Sequence, residues 1–153
     1  MKKLYFICML AVVAICFAGC KKDTNAPESF NGNVERPTWT APEASDMSSS
    51  MTAVVKVDLK AMYPSRAADF VLNDNDLLAA FSGETCLGVA SPQDGLFFLY
   101  IAAPVTGNPS SVTLRYYSAH YKNLFEAVNA LTFANDAHLG TIAEPLVPTL
   151  VVK

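Results

Sequence analysis

The sequence predicts an all-β fold: an antiparallel β-sandwich of about seven or eight short strands with immunoglobulin-like architecture. A signal helix that is cleaved and a flexible tether precede it. Three observations carry this expectation. Apolar residues alternate with period two in Thr52–Leu59, placing Ala53, Val55, Val57 and Leu59 on one face. Turn-forming clusters recur between short apolar runs, as in Ser82-Gly83-Glu84, Ser91-Pro92-Gln93-Asp94-Gly95 and Gly107-Asn108-Pro109. Long helical periodicity is missing after the first twenty residues.

Residues 1–19 form the first element. Lys2 and Lys3 supply a positive start, and Leu4 to Phe17 is an uncharged apolar run. A run of this length suits a secretory leader and is short for a membrane-spanning helix, which needs about 20 residues. Small Ala18 and Gly19 then lead to Cys20. Phe17-Ala18-Gly19-Cys20 resembles the lipobox of bacterial lipoproteins, with Phe17 where Leu is common. The resemblance implies cleavage before Cys20, a diacylglycerol on its sulfur and an acylated new amino terminus. It also implies the outer membrane of a Gram-negative envelope, because Lys21 stands where an inner-membrane retention Asp is found in some relatives. The partner it implies is the membrane itself, reached through the lipid.

Residues 20–50 read as a lipidated, disordered linker. Pro27, Pro37, Pro42, Gly32 and Ser48-Ser49-Ser50 interrupt the segment, and apolar periodicity is absent. Thirty such residues give a leash of about 30 Å. Phe30 and Trp39 depart from the polar pattern. They either dock on the domain or lie at the membrane interface, docking being favoured for Trp39, which is close to the domain start.

Residues 51–153 form the domain. After Thr52–Leu59, Tyr63-Pro64-Ser65 is a turn, a helical turn is expected near Ala67–Leu72, and Asn73-Asp74-Asn75-Asp76 is a loop. Leu77–Phe81 and Thr85–Ala90 form a hairpin around Gly83. Leu96–Ala102 is apolar on both faces, as in a central strand. Val112–Ser118, Leu124–Ala127 and Leu131–Ala134 follow, and Leu146–Val152 ends the series, with Pro148 either breaking its ladder or placing it at an edge.

Charge and cysteine content narrow the function. The 11 basic and 14 acidic side chains give −3, or about −5 once Lys2 and Lys3 leave with the leader. The only basic cluster after the leader is Lys21-Lys22, so nucleic acid is not an expected partner. Cys8 and Cys16 depart with the leader and Cys20 takes the lipid. Cys86 is then left alone, and an internal disulfide is excluded. Within Thr85–Ala90 it reads as a small strand-interior hydrophobe.

Asp76–Phe81 ("DLLAAF"), Glu84–Ala90 ("ETCLGVA"), Val112–Tyr117, and Leu131–Asp136 ("LTFAND") with Leu139-Gly140-Thr141 resemble a small β-sandwich module of secreted and surface proteins of Bacteroidetes-type bacteria. The resemblance covers roughly residues 52–148. It implies a surface-protein fold and no particular activity. Leu87 stands where that module often carries Arg, so no role of that Arg transfers.

Candidate chemistry is sparse. His120 and His138 are the two histidines and belong to no spaced metal motif. Gly-x-Ser-x-Gly is absent, so catalysis is not expected, and no cofactor is called for. Asp74 and Asp76 offer calcium ligands, with Glu84 and Asp94 able to complete a site if their loops converge. The competing reading is that Asn73–Asp76 caps its own turn. Tyr100, Tyr116, Tyr117 and Tyr121 are candidates for an exposed aromatic platform that stacks on sugars or packs on a protein, against the reading of core and cross-strand pairs. The expected function is a lipid-anchored binding or adhesion module for a glycan or protein. The alternative is a structural or accessory subunit of an outer-membrane complex.

Overall fold

A computed structural model describes residues 29–153. The signal peptide (1–19), Cys20 and residues 20–28 of the expected linker lie outside the described residues.

The predicted β-sandwich is observed. A single 3-10 turn, Ala44–Asp46, leads into β1 (Met47–Val55). A short helix α1 (Leu59–Met62) follows, then β2 (Leu77–Ser82), β3 (Thr85–Ala90) and β4 (Pro92–Gln93). After these come β5 (Leu96–Pro104), β6 (Thr113–Ser118), β7 (Asn123–Ala127), β8 (His138–Leu139) and β9 (Leu150–Val152). The strand order is β4-β5-β1-β8 in one sheet and β3-β2-β6-β7-β9 in the other. All pairings are antiparallel except β1 with β8.

Alternation sorts each strand's residues. Met51, Ala53 and Val55 of β1 meet Phe97, Leu99 and Ile101 of β5, Leu78 and Ala80 of β2, and Leu114 and Tyr116 of β6 in one core. The chain changes sheets at Ser91, where β3 ends and β4 begins. The Asp94-Gly95 turn returns it to β5, with φ of 49° and 81°, the double positive φ that a tight two-residue hairpin favours. Opposite Ala80 and Phe81, β3 carries an extra residue: Ala80 pairs with Gly88 and Phe81 with Cys86. The bulge turns Leu87 into the core, where it is fully buried.

Four expectations are corrected. Residues 29–50 are not a linker. Phe30 is buried in the core, its ring 5.1–5.5 Å from those of Tyr63, Tyr121 and Phe125. The Gly32 and Val34 amides donate to the carbonyls of Tyr121 and Lys122 (both 2.9 Å). Arg36 Nε donates to the Asn75 carbonyl (3.0 Å), and Trp39 packs edge-on against Phe81 (5.5 Å), as its expected docking requires. Residues 29–46 therefore act as a strap: Phe30 is set into the core, and Val34 and Trp39 lie over Tyr117 and Phe81 on the outer face of the five-stranded sheet. Two large aromatic anchors offset the ordering entropy that the composition alone could not.

Second, β1 starts at Met47 and stops at Val55; Val57 and Leu59 are buried beyond the strand, on the way into α1. Third, the helical turn falls at Leu59–Met62, where the Asp58 carboxylate caps the Ala61 amide (2.9 Å), and not at 67–72. Fourth, Leu131–Ala134 contributes one isolated bridge, Leu131 to Val112, and the last strand shrinks to Leu150–Val152. Pro148 has no amide for a ladder, and Leu146 instead bridges Val55 in parallel.

Candidate functional site

The outer faces of the two sheets differ. On the five-stranded sheet, Leu77, Ala79, Phe81, Arg115 and Tyr117 point away from the core yet are buried, because the strap and an ion-pair cluster cover them. Arg115 lies over the Phe81 ring (4.2 Å). It donates to both carboxylate oxygens of Glu84 (2.8 and 3.0 Å), to Glu126 (3.0 Å) and to the Gly83 carbonyl (3.2 Å). Lys153 adds a second cation to Glu126 (2.6 Å). Bonds to Arg115 hold the Glu84 carboxyl below its ordinary range; the Glu126 carboxyl is held down first by Lys153 and then by Arg115.

On the four-stranded sheet the outer face is open. Along β5, Phe97, Leu99 and Ile101 are buried, while Phe98 and Tyr100 are 43% and 50% exposed. Two residues along a strand place their rings about 7 Å apart on the same face. Register sets their neighbours: Val54 is opposite Phe98 and Thr52 is opposite Tyr100. His138 of β8 is opposite Thr52 on its other side, with Thr52 Oγ1 and His138 Nδ1 2.6 Å apart. Tyr100, Thr52 and His138 thus form one row across the sheet.

Beside Tyr100 runs an open groove of about 460 Å³, lined by Ser48, Ser49, Ser50, Asn135 and Asp136, with Met47 at its rim. Its walls are tied together. The Asp136 amide donates to the Ser50 carbonyl (2.8 Å) and the Ser50 amide to Asn135 Oδ1 (3.3 Å). Asn135 Nδ2 donates to Asp136 Oδ2 (3.0 Å). Asp136 adopts φ 58°, a left-handed conformation that Asp tolerates better than most residues. Behind Tyr100 the two sheets nearly touch: a Cβ on Gly88 would lie 2.0 Å from the Tyr100 carbonyl oxygen. The backbone under the exposed ring is therefore backed by backbone.

Of the four candidate tyrosines, Tyr100 alone is exposed. Tyr116 is a core residue whose hydroxyl donates to Asp76 Oδ2 (2.6 Å). Tyr117 lies under the strap and donates to the Val34 carbonyl (3.3 Å). Tyr121 is buried against Phe30 and donates to Asp69 Oδ1 (2.8 Å). Burial first, then the neighbouring carboxylates, push the Tyr116 and Tyr121 phenols well above their ordinary range. The predicted platform of four tyrosines is corrected to Tyr100 with Phe98. Alternation alone would have left Tyr117 outward and free; the strap removes it.

The candidate calcium pair is also separated. Asp76 is fully buried and accepts from the Tyr116 hydroxyl, the Asn73 amide (3.0 Å) and the Ala119 amide (2.7 Å). Burial raises its pKa, and these donors partly offset the shift. It is a structural hub that ties β2 to the β6–β7 turn. Asp74 is exposed and does share a shallow pocket with Asp94, beside Leu72, Pro92 and Gly95. Glu84 is engaged with Arg115 and completes nothing there. Among the described residues, no three His, Cys, Asp or Glu side chains are grouped to hold a metal. The turn-capping reading fits: Asn73 Oδ1 accepts from the Asn75 amide (2.9 Å).

Ser50, Asn135 and Asp136 were not anticipated as site residues. The one signal for them was the polar run Ser48-Ser49-Ser50, which reads as linker until β1 is seen to begin at Met47. Among the described residues no helix is long and apolar enough to cross a membrane. Comparison of the chain with protein-family models, with curated proteins and with solved structures finds no match.

Proposed function

We propose that this chain is a lipid-anchored, non-catalytic binding module of the bacterial outer membrane, which engages a glycan or protein through the outer face of its four-stranded sheet. The observation that carries the reading is the asymmetry of the two outer faces. One is largely covered by the strap and ion pairs, with Val151 exposed at its β9 edge; the other leaves two aromatic rings half-exposed beside a polar groove. Exposed rings flanked by hydrogen-bonding groups suit stacking on a sugar or anchoring in a partner's pocket.

Placement supports the same reading. The strap enters the fold beside Tyr121 and Lys122 and runs to Phe81, at the opposite end of β2 and β6. Met47 and Ser48 of the groove follow directly at that far end. A lipid on Cys20 would attach to one pole and the groove would open near the other.

The test has two parts. Labelling cells with an alkyne fatty acid should tag the wild-type chain in the outer-membrane fraction and leave Cys20→Ala untagged and unprocessed. The detergent-extracted protein should bind members of a glycan array or a defined envelope partner, and Phe98→Ala and Tyr100→Ala should each weaken that binding. The structural-subunit reading has one observation in its favour, the half-exposed Val151 and Val152 on edge strand β9. Stable co-purification of an envelope complex that Val151→Lys disrupts and Tyr100→Ala spares would favour it.

A further inference from the structure

We propose that the groove beside Tyr100 takes an uncharged pyranose of a glycan and rejects uronic and sialic acid residues; this rests on the binding-module reading and names its ligand class. Three features of the groove argue for it. First, the exposed Tyr100 ring offers a flat apolar face with a hydroxyl at its edge, which matches the apolar face and hydroxyl rim of a sugar ring.

Second, the surrounding groups are hydroxyls and amides. Ser48 and Ser49 donate to the Pro104 carbonyl and to Asn108 Oδ1, which leaves their own oxygens as acceptors. Asp136 receives the Asn135 amide on Oδ2, leaving Oδ1 to accept a sugar hydroxyl. These bonds fix the polar groups before any ligand arrives, so little ordering is left to be done on binding.

Third, among the described residues the lining carries one charge and it is negative. Of those residues Asp136 is the only ionisable lining side chain besides Tyr100, and none is Lys or Arg. A carboxylated sugar would meet a like charge and find no cation to replace its water. That is the repulsive element by which specificity is set. A protein partner using the same face remains an outcome of the test.

The experiment uses the lipidated protein extracted in detergent. Titration calorimetry compares neutral hexasaccharides of glucose, xylose and mannose with an oligogalacturonate of equal length. The expected result is binding of at least one neutral series, with the oligogalacturonate weaker by about tenfold or more. Tyr100→Ala should weaken neutral binding about tenfold, while Tyr100→Phe keeps most of it. Asp136→Asn should narrow the gap between neutral and acidic sugars, and its melting temperature reports whether the loop still folds. Equal or tighter binding of oligogalacturonate overturns the inference. So does neutral binding that Tyr100→Ala leaves unchanged.

A photo-crosslinking residue at Ser49 separates the two levels. No sugar binding, together with a defined envelope protein crosslinked there, overturns the glycan and keeps the binding module. Neither sugar nor crosslink overturns both.

Discussion

Gly88 has little room to change. Its missing Cβ lets β3 approach the carbonyl of Tyr100, and an added methyl would lie 2.0 Å from that oxygen, with backbone on both sides. Gly88→Ala should lower stability by about 1–3 kcal/mol in urea unfolding, and it should weaken ligand binding by moving Tyr100. Asp76 makes a different prediction, concerning pH. Burial raises its folded pKa above the ordinary Asp value of about 3.9. Just above that value the folded protein keeps a proton that the unfolded chain has released, so this group's contribution to stability falls as pH rises. Asp76→Asn should cost about 1–3 kcal/mol, because an amide cannot accept all the donors aimed at the site. The wild type's margin over the variant should shrink as pH rises from about 4 to about 7, as read from urea midpoints across that range. The lowered carboxyls of Glu84, Glu126 and Asp69 act with opposite sign and at lower pH, since their stabilisation is lost as pH falls through their depressed pKa values. Cys86 is half-buried, and burial raises its thiol pKa, so it should react with iodoacetamide more slowly than free cysteine at equal pH.

Among the elements, the strap is the one that composition hides. Alternation made β1 legible, short apolar runs marked β5, β6 and β7, and turn residues marked the β2–β3 hairpin and the return into β5. Period two needs several residues to register, so the two-residue β8 left no trace and its parallel pairing with β1 could not be read. Residues 29–46 have neither period. They hold their place through Phe30, Trp39 and a few backbone bonds, and two isolated aromatics in a Pro- and Asn-rich stretch are weak markers in a sequence. The same blindness misplaced Tyr117, whose exposure depends on what lies over it. Phe30→Ala should therefore destabilise the whole domain by about 3–5 kcal/mol in one cooperative transition. A segment acting only as a tether would leave the unfolding midpoint where it was. Phe98→Ala, on the open face, should change stability little while weakening binding.

At the scale of the whole molecule, the strap would give a sandwich anchored through Cys20, as proposed, a polarity relative to the membrane. Eight residues, 21–28, would separate a lipidated Cys20 from the docked chain, a full reach of about 30 Å. With Cys86→Ala as background, a fluorophore at Lys122 should be quenched by headgroup quenchers more strongly than one at Asp136. Equal quenching would mean that the domain lies on its side. The path of the chain between these poles has a mechanical consequence. From the lipid to the groove it passes through residues 29–46 before it reaches Met47–Ser50 of β1. A cell pulled away from a glycan held in that groove would load the strap first. Because Phe30 belongs to the common core, that tension would be carried by the whole sandwich, and pulling the strap out would unfold the domain rather than release slack. The docked segment would then serve as a rivet in the attachment, holding until the domain gives way as a unit.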